Sequence, residues 1–362
     1  MLDIWMLNVG KGDSIALRYT DNNKNEFYGV IDSNTANDGV DPEAVKFLKG
    51  LKVKEISFLL LTHPHHDHFS GISKIFNNFS ISHIYTYPFG IDDKNLVKKW
   101  AELYKKNTGH IEASAGKINE RSLEMLRVLA EFEKNSTKLM ELFGPHNRIK
   151  PFGFHTEQIE LHVILPYKKN KGEIFQRVRG EEIDVVNNPN LNKLSASLLV
   201  KYKNKSVVFG ADSTYECWIR HKKDNHFEPL NSDIFKVNHH GSDADCKDEV
   251  FQYIFGDKHE KIALISSNGN QHHPSDKTLK RISEMGIKPY CTNLSLHCGH
   301  NIHNLYNNPN IPAETRNFIN LNNSPRLNIP CQGRVHINID TEGELKIDSE
   351  YKNFCPYRDS IF

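Results

Sequence analysis

This 362-residue chain lacks an excess of charge of one sign and any long apolar run. Its 46 lysine and arginine residues nearly balance 45 aspartate and glutamate residues, so the formal net charge is +1. This charge excludes a uniformly basic surface for non-specific nucleic-acid binding but is compatible with a local basic groove. The most apolar strand-like segment, residues 56–61, is too short to cross a bilayer, so we expect no membrane association. The first residues have no basic head or small-residue cleavage site, which argues against secretion and favours a cytoplasmic location.

Several catalytic signatures are also lacking. The six cysteines are scattered over the second half of the chain, which favours a reducing cytosol over a disulfide framework. There is no Gly-x-Ser-x-Gly elbow for a nucleophilic serine, and Gly10 and Gly12 lack the third glycine of a dinucleotide-binding turn. Histidine, in contrast, is abundant, with 20 residues. Because neutral imidazole is the commonest metal ligand, histidine clusters are the first candidates for a functional site.

Short apolar strands and amphipathic helices alternate along the chain, which indicates an α/β protein. We interpret residues 92–150 as a helical insertion, because this block carries too little apolar surface to fold alone. Residues 288–362 are predicted to form a C-terminal extension with closing strands. The polar stretch 166–194 is predicted to be a solvated loop; alternatively, its cations form a basic rim that meets an anionic substrate. These cations are Lys168, Lys169, Lys171, Arg177 and Arg179.

The segment 59–68 reads LLLTHPHHDH, so that a buried strand runs directly into a cluster of metal-ligand residues. Residues two apart in an extended segment point the same way, and His63 and His65 can therefore face one metal ion together. Asp67 and His68 follow where a helix opens, and this change of direction can aim them at a second ion. Two divalent ions about 4 Å apart are a standard arrangement for hydrolysis at neutral pH. A purely structural role is disfavoured, because unpaired buried polar groups are costly.

Further motifs follow this segment in an order that resembles the metallo-β-lactamase superfamily. They are GAD at 210–212, which resembles the motif of a metal-bridging aspartate, and NHHGS at 238–242, which resembles the last histidine motif. Four motifs are similar to those of the hydrolase domain of ComEC, the DNA-uptake competence protein, and of its free-standing relatives. They are NVGKGDS at 8–14, VID at 30–32, HHGS at 239–242 and HHPS at 272–275. The resemblance implies one domain over residues 1–362, folded as a four-layer αββα sandwich that carries the helical insertion.

The resemblance also implies two metal sites that share one carboxylate. The ligands implied for the first ion are His63, His65 and Asp212, and those for the second ion are Asp67, His68, Asp212 and His239. Adjacent residues at a strand end diverge, so His239 and His240 do not readily bind the same ions. We favour His239 as the ligand and leave His240 open as the alternative. Zinc and manganese both suit histidine and carboxylate ligands.

Other residues are predicted to act around the ions. The catalytic candidates are Asp67, His240 and His273, of which either histidine could stabilise an oxyanion or protonate the leaving group. Asp32 is expected to orient a metal-bound histidine. The other candidates for a supporting or substrate-binding role are Asp13, Asn192, Ser195 and Lys11. Lys11 either contacts a phosphate or is only solvated, and Asn192-x-x-Ser195 resembles a motif of the ComEC branch where many superfamily members carry a third histidine motif.

A later group of cysteine and histidine residues has two interpretations. Its members are Cys291, Cys298, His300, His303 and Cys331. Thiolate and imidazole ligands suit a structural zinc ion, so the group could assemble such a site. The spacing lacks a Cys-x-x-Cys knuckle, however, and buried cysteines that bind no metal are the alternative.

The predicted function is metal-dependent hydrolysis, most specifically by a phosphodiesterase or nuclease whose two ions activate water. The ComEC-like wording favours a phosphodiester substrate, which could be DNA, RNA or a nucleotide. One alternative is a hydrolase of a non-phosphate ester, a thioester or a lactam. Another is a metal-free binding module that works with partner proteins in a larger multi-gene system, such as one for defence.

Overall fold

The computed structural model describes residues 1–35, 40–90, 92–112, 120–145, 147–150, 159–180, 189–267, 273–295, 330–352 and 355–359. Within these ranges two mixed β-sheets pack face to face, and helices cover both outer faces. The predicted four-layer αββα sandwich is confirmed.

The first sheet combines strands from both ends of the chain. Its strands are β1 (Leu2–Met6), β2 (Ile15–Thr20), β3 (Glu26–Ile31), β4 (Glu55–Leu61), β5 (Ser80–Thr86), β6 (Leu139–Glu141), β14 (Val335–Ile339) and β15 (Leu345–Ser349). They lie in the order β15-β14-β1-β2-β3-β4-β5-β6. Neighbours are antiparallel from β15 to β3 and parallel from β3 to β6. The parallel part brings the carboxyl ends of β3, β4 and β5 to one edge of the sheet.

The second sheet repeats this mixed pattern. Its strands are β7 (Asn147–Ile149), β8 (Ile159–Leu165), β9 (Ser197–Tyr202), β10 (Lys205–Phe209), β11 (Ile234–Lys236), β12 (Ile262–Ile265) and β13 (Lys288–Cys291). They lie in the order β13-β12-β11-β10-β9-β8-β7, antiparallel from β7 to β10 and parallel from β10 to β13. The C-terminal region therefore adds β13 to this sheet and the closing strands β14 and β15 to the first.

Helices form the two outer layers. Those over the first sheet are α1 (Glu43–Gly50), α2 (His66–Phe69), α3 (Ile72–Asn78), α4 (Lys94–Glu112), α5 (Glu120–Lys134) and α6 (Lys168–Arg179). Those over the second sheet are α7 (Tyr215–Asp224), α8 (Asp248–Phe255) and α9 (Asp276–Glu284), and the short α10 (Pro356–Asp359) contacts α9 and β13. Among the described helices, we find none with an apolar stretch that could cross a membrane.

Strand β4 shows why the sequence before the histidine segment is almost continuously apolar. Phe58 and Leu60 point between the two sheets, whereas Leu59 and Leu61 point to the outer helical layer. All four side chains are buried, and each contributes roughly 1.5–3 kcal/mol of hydrophobic stabilisation. Because both faces of β4 are covered, the strand is held rigidly up to the residue that precedes the histidines.

The prediction of a loop over residues 166–194 is wrong for its first half, which forms α6. The few apolar side chains there recur at helical spacing, and Ile174, Phe175 and Val178 are buried against the core. Part of the proposed basic rim is also neutralised, because Lys171 pairs with Glu141 at 2.9 Å. The high polar content suggested a loop, but one apolar stripe was enough for a surface helix.

The predicted helical block at 92–150 is helical only in its first part. Helices α4 and α5 pack onto the first sheet through residues such as Trp100 and Phe132. The chain then forms β6, which extends the first sheet, and β7, which lies at the edge of the second. The end of this block therefore belongs to the two sheets of the sandwich.

A buried carboxylate on the outer face of the first sheet makes a prediction about stability. Asp3 is 1% exposed and accepts hydrogen bonds from Arg18 and Asn338, and His336 lies within 2.8 Å of it. Burial alone would raise the pKa of Asp3, but the hydrogen bonds from these three residues outweigh it and lower that pKa. We expect Asp3→Asn to lower the free energy of unfolding at neutral pH by about 1.5–3 kcal/mol.

The sign of the pH dependence follows from the lowered pKa. The stabilisation is fully present above the ordinary aspartate pKa of 3.8 and is lost as the pH falls through the lower value in the folded protein. Urea denaturation of the variant and the wild type at about pH 7 and about pH 2.5 tests this. Glu344→Gln, at an exposed position of the β14–β15 turn, is the control. An equal difference at both pH values would contradict the prediction.

Candidate metal centre

Strand β4 delivers the first histidine pair to the edge of the sheet. The chain leaves β4 at Leu61 and reaches His63, whose side chain is fully buried. Nε2 of His63 lies 3.1 Å from Nδ1 of His65. These two rings and Asp212 form a group whose ligand atoms all lie within 4.8 Å of one another. The two-residue spacing therefore puts both rings on the same side of the chain.

Helix α2 supplies a second group. It begins at His66 and carries Asp67 and His68 in its single turn. With His240, these two residues form a group whose ligand atoms also lie within 4.8 Å of one another. The turn from strand to helix thus separates the donors of one short segment into two groups.

Asp212 lies between the two groups. It follows β10 and is 3% exposed. Its Oδ2 atom lies 3.6 Å from Nε2 of His63, whereas its Oδ1 atom lies 3.5 Å from Nε2 of His68 and 3.5 Å from Nε2 of His240. A carboxylate whose two oxygens face different histidine groups has the geometry to bridge two cations.

Left-handed backbone conformations aim several of these side chains. Asp32, Ala211, His239 and His240 have φ values of 54°, 45°, 46° and 52°. Such conformations cost about 1–3 kcal/mol each in residues other than glycine and cluster at functional sites, where the surrounding structure enforces them. Here they follow the ends of β3, β10 and β11, where the chain must turn sharply to present a side chain at the edge.

The two neighbouring histidines after β11 point in different directions. His240 is buried and completes the group on α2. The side chain of His239 is 26% exposed; its Nδ1 lies 2.6 Å from Asp245, and its Nε2 lies 3.9 Å from Asp212. Among the described residues, His239 falls outside every candidate metal group. The geometry therefore favours His240, the alternative that the sequence left open.

Asp32 fixes the orientation of one ring. Its Oδ1 atom accepts a hydrogen bond from the backbone of Thr62 at 2.8 Å, and its Oδ2 atom accepts one from the hydroxyl of Thr62 at 2.6 Å. Nδ1 of His68 lies 2.7 Å from the same Oδ2. With its Nδ1 bonded to a carboxylate, His68 presents Nε2 to Asp212, which is the usual arrangement for a metal-binding histidine.

Buried ligand atoms without hydrogen-bond partners suit a bound cation. In the part of the chain that the structure describes, three buried ligand atoms that face one another lack a hydrogen-bond partner: Nε2 of His68, Oδ1 of Asp212 and Nε2 of His240. Each such atom costs about 1–3 kcal/mol if it stays unpaired. Nitrogen and carboxylate oxygen are the ligands that divalent transition metals prefer, so bound cations would satisfy these atoms.

Burial and neighbouring charge set the protonation of the centre. Burial lowers the pKa of His63 and of His240 well below the ordinary value, which favours the neutral rings that metal ligation requires. Burial would raise the pKa of Asp212, but His240 and His68 outweigh it and hold that pKa well below its usual range. Burial would lower the pKa of His68, but Asp212 and Asp32 raise it well above the ordinary value.

A family model described as the metallo-β-lactamase superfamily matches residues 30–263, more than half of the chain. The chain belongs to the metallo-β-lactamase superfamily. The predicted membership is thereby confirmed. Most members of the superfamily are metal-dependent hydrolases, which supports the predicted class of reaction. No curated protein matches the chain.

Solved structures resemble the chain only at low similarity. A CmlA β-hydroxylase mutant is 13% identical with a TM-score of 0.42 over 80% of this chain, which spans only 52% of that protein. A diphosphatase from the PhnP family is 11% identical with a TM-score of 0.40, covering 93% of this chain and 97% of that one. Zn²⁺-bound PqqB from Methylobacterium extorquens is 7% identical with a TM-score of 0.40, covering 80% and 98%. At these values the likeness carries no functional argument.

Two further residues that the sequence analysis names as candidates lie beside the centre. The Nζ atom of Lys11 is 3.4 Å from Oδ2 of Asp67, and the lysine side chain is 49% exposed. His273 is partly buried in the segment before α9, and its ring centroid lies 5.3 Å from that of His239. Lys11 therefore contacts a residue of the second ligand group, and His273 packs against the histidine whose Nε2 lies 3.9 Å from Asp212.

The residue after the Asn-x-x-Ser motif bonds to the residue before the first histidine. Asn192 and Ser195 are 2% and 1% exposed and end a short 3-10 helix, Pro189–Leu194. The next backbone N–H, from Ala196, donates to the carbonyl oxygen of Thr62 at 3.0 Å. This bond places the motif beside the end of β4.

The late cysteine and histidine group is only partly described. Cys291 and Cys331 are buried, and the backbone N–H of Gln332 donates to the carbonyl of Cys291 at 3.0 Å. Cys298, His300 and His303 lie outside the described residues. The two interpretations of this group therefore both remain predictions.

Sequence reasoning missed three residues that touch the centre. Thr62 bonds to Asp32, Asp245 holds the ring of His239, and Lys236 pairs with Asp13. For Lys236 a signal was present, because a lysine that ends the apolar strand β11 is unusual at a buried position. Nothing in the sequence marks Asp245 or Thr62, since their partners are set by tertiary contacts.

Proposed function

We propose that this protein is a phosphodiesterase or nuclease that holds two divalent cations, zinc or manganese. The observation that carries the proposal is the position of Asp212, whose two oxygens face His63 on one side and His68 and His240 on the other. His63 and His65 with Asp212 would hold one cation. Asp67, His68 and His240 with Asp212 would hold the other.

The chain's own residues have separate tasks in this proposal. Bound divalent cations would supply a lower pKa for water and would offset negative charge on the substrate oxygens. Asp32 keeps the ring of His68 in place, and Asp245 does the same for His239. His273, at the partly exposed side of the centre, is the candidate to protonate the leaving oxygen.

A phosphodiester is the proposed substrate class. The resemblance of the motifs to those of ComEC supports a phosphodiester substrate. Lys11 supports it as well, because its half-exposed ammonium group beside Asp67 could contact a phosphate oxygen. Helix α6 supports it less than the sequence suggested, because Lys171 and Arg179 already pair with Glu141 and Asp93. The proposal therefore places phosphate recognition at Lys11.

The test combines metal analysis with an assay of cleavage. Purified protein is analysed for bound metal and assayed on bis-p-nitrophenyl phosphate and on single- and double-stranded DNA, with zinc or with manganese. We expect about two cations per chain and metal-dependent cleavage. Asp67→Ala and His65→Ala should each abolish cleavage, because each removes a donor from one of the two groups.

His66→Ala is the matched control. His66 lies in the same segment, but its ring packs against that of Phe69 and it belongs to none of the metal groups among the described residues. We expect it to keep both metal and activity. Metal without phosphodiester cleavage would move the assignment to a carboxylic ester, thioester or lactam. A protein that holds no metal and shows no cleavage would leave the binding module as the remaining interpretation.

A further inference from the structure

Lys236 is a fully buried lysine next to the metal centre. It is the last residue of β11, it is 0% exposed, and the neighbouring Phe235 and Val237 are fully buried as well. A buried ammonium group costs several kcal/mol unless it is paired. A fold that keeps this charge inside its second sheet therefore pairs it closely.

The partner of Lys236 is Asp13, which is itself in contact with a candidate metal ligand. The ammonium group of Lys236 donates to Oδ2 of Asp13, and Asp13 is 2% exposed. The other oxygen of Asp13, Oδ1, lies 3.6 Å from Nδ1 of His240. Neither of these last two atoms has a hydrogen-bond partner among the described residues, and a small rotation of either side chain would close the gap.

The opposite side of the His240 ring faces the centre. Nε2 of His240 lies 3.5 Å from Oδ1 of Asp212 and 3.7 Å from Oδ2 of Asp67. A series of contacts thus runs from the second sheet to the second ligand group, through Lys236, Asp13 and His240. A carboxylate that stands behind a metal-binding histidine and orients its ring is a common arrangement, and here Asp13 has that position.

We propose that Lys236 is a positioning residue, which through Asp13 keeps Nε2 of His240 directed at Asp67 and Asp212. The ammonium group also holds Asp13 in this supporting role. Asp13 stands close enough to Asp212 and His240 to act as a ligand itself, and an unpaired carboxylate there would be drawn to a cation. The inference rests on the proposed metal site and does not depend on which substrate is cleaved.

Metal affinity of charge-matched variants tests the inference. Lys236→Met leaves the carboxylate of Asp13 unpaired, whereas the double variant with Asp13→Ala removes both charges and so remains foldable if the single variant is not. Zinc binding is measured by competition with a chromophoric chelator, which resolves two successive affinities. We expect the double variant to bind the cation at the group of Asp67, His68 and His240 about 10- to 100-fold more weakly. The affinity at the group of His63 and His65 should stay close to that of the wild type.

Lys258→Met is the matched control. Lys258 pairs with Asp233 at 2.8 Å just before β11 begins. The substitution therefore removes an ion pair at the other end of the same strand. It should leave both affinities unchanged. The inference is overturned if the double variant binds the second cation as tightly as the wild type, or if both affinities fall equally, as general loosening of the fold would cause.

The outcome is separable from that of the proposed function. The affinities are measured without substrate, so a protein that binds two cations but cleaves no phosphodiester still tests the role of Lys236. A wild-type protein that binds only one cation overturns the inference. Cobalt(II) absorption spectra of the same variants report the geometry at the second cation, which should change in the double variant and not in Lys258→Met.

Discussion

Replacing Asp212 by asparagine is expected to lower metal-dependent cleavage by more than about a hundredfold, beyond what loss of an outer partner of a ligand usually costs. The substitution keeps the size of the side chain but leaves only one oxygen to accept a cation. The other position becomes an NH₂ group, which is a donor and faces either His63 or the pair His68 and His240. One of the two groups therefore loses its shared ligand.

Steady-state cleavage of bis-p-nitrophenyl phosphate and metal content measure the effect. We expect the Asp212→Asn protein to be purified with fewer cations per chain and to remain inactive when metal is added. Asp243→Asn is a suitable control, because Asp243 is an aspartate near the centre that pairs with Arg281 and Lys247 instead. A variant at Asp212 with wild-type metal content and rate would refute the bridging role.

Replacing Gly12 by alanine is expected to destabilise the fold and to weaken the second ligand group together. Gly12 has a φ of +90°, and an added Cβ atom would lie 1.8 Å from the carbonyl oxygen of Asp67. The backbone N–H of Asp13 donates to that same oxygen at 3.2 Å, so the turn rests directly on α2. Strain and crowding together should cost about 2–6 kcal/mol.

Urea denaturation gives the loss of stability, and chelator competition gives the metal affinity of the same protein. Gly172→Ala is the matched control, because Gly172 lies in the middle of α6 with nothing within 4 Å of the added Cβ atom. It should stabilise the protein by about 0.5–1 kcal/mol. A Gly12→Ala protein as stable as the wild type would show that the turn can move away from α2.

The superfamily resemblance predicted the layers of the fold, whereas a local pattern predicted the first histidine pair. The two-residue repeat of an extended chain puts His63 and His65 on one side, and it can be read from sequence. Composition is a poorer guide, since the polar composition of residues 168–179 predicts a loop although their apolar stripe makes them a helix.

The choice between His239 and His240 could not be made from local patterns. Strand alternation says only that two neighbours diverge. In the structure both residues adopt left-handed backbone conformations, with φ values of 46° and 52°, and this turn, not alternation, sets the directions of the two rings. Such conformations are held by the packing around them, so they have no reliable signal in the sequence.

By itself, the sequence determined the candidate metal-ligand residues apart from the choice between His239 and His240, their order along the chain and the superfamily to which the chain belongs. Tertiary structure alone decided how donors more than a hundred residues apart meet: Asp67, which follows β4, and Asp212, which follows β10, lie 3.7 Å and 3.5 Å from the same atom, Nε2 of His240. It also paired Lys236 with Asp13, 223 positions away. Sequence records which groups can bind a cation, but their distances depend on how the strands pack.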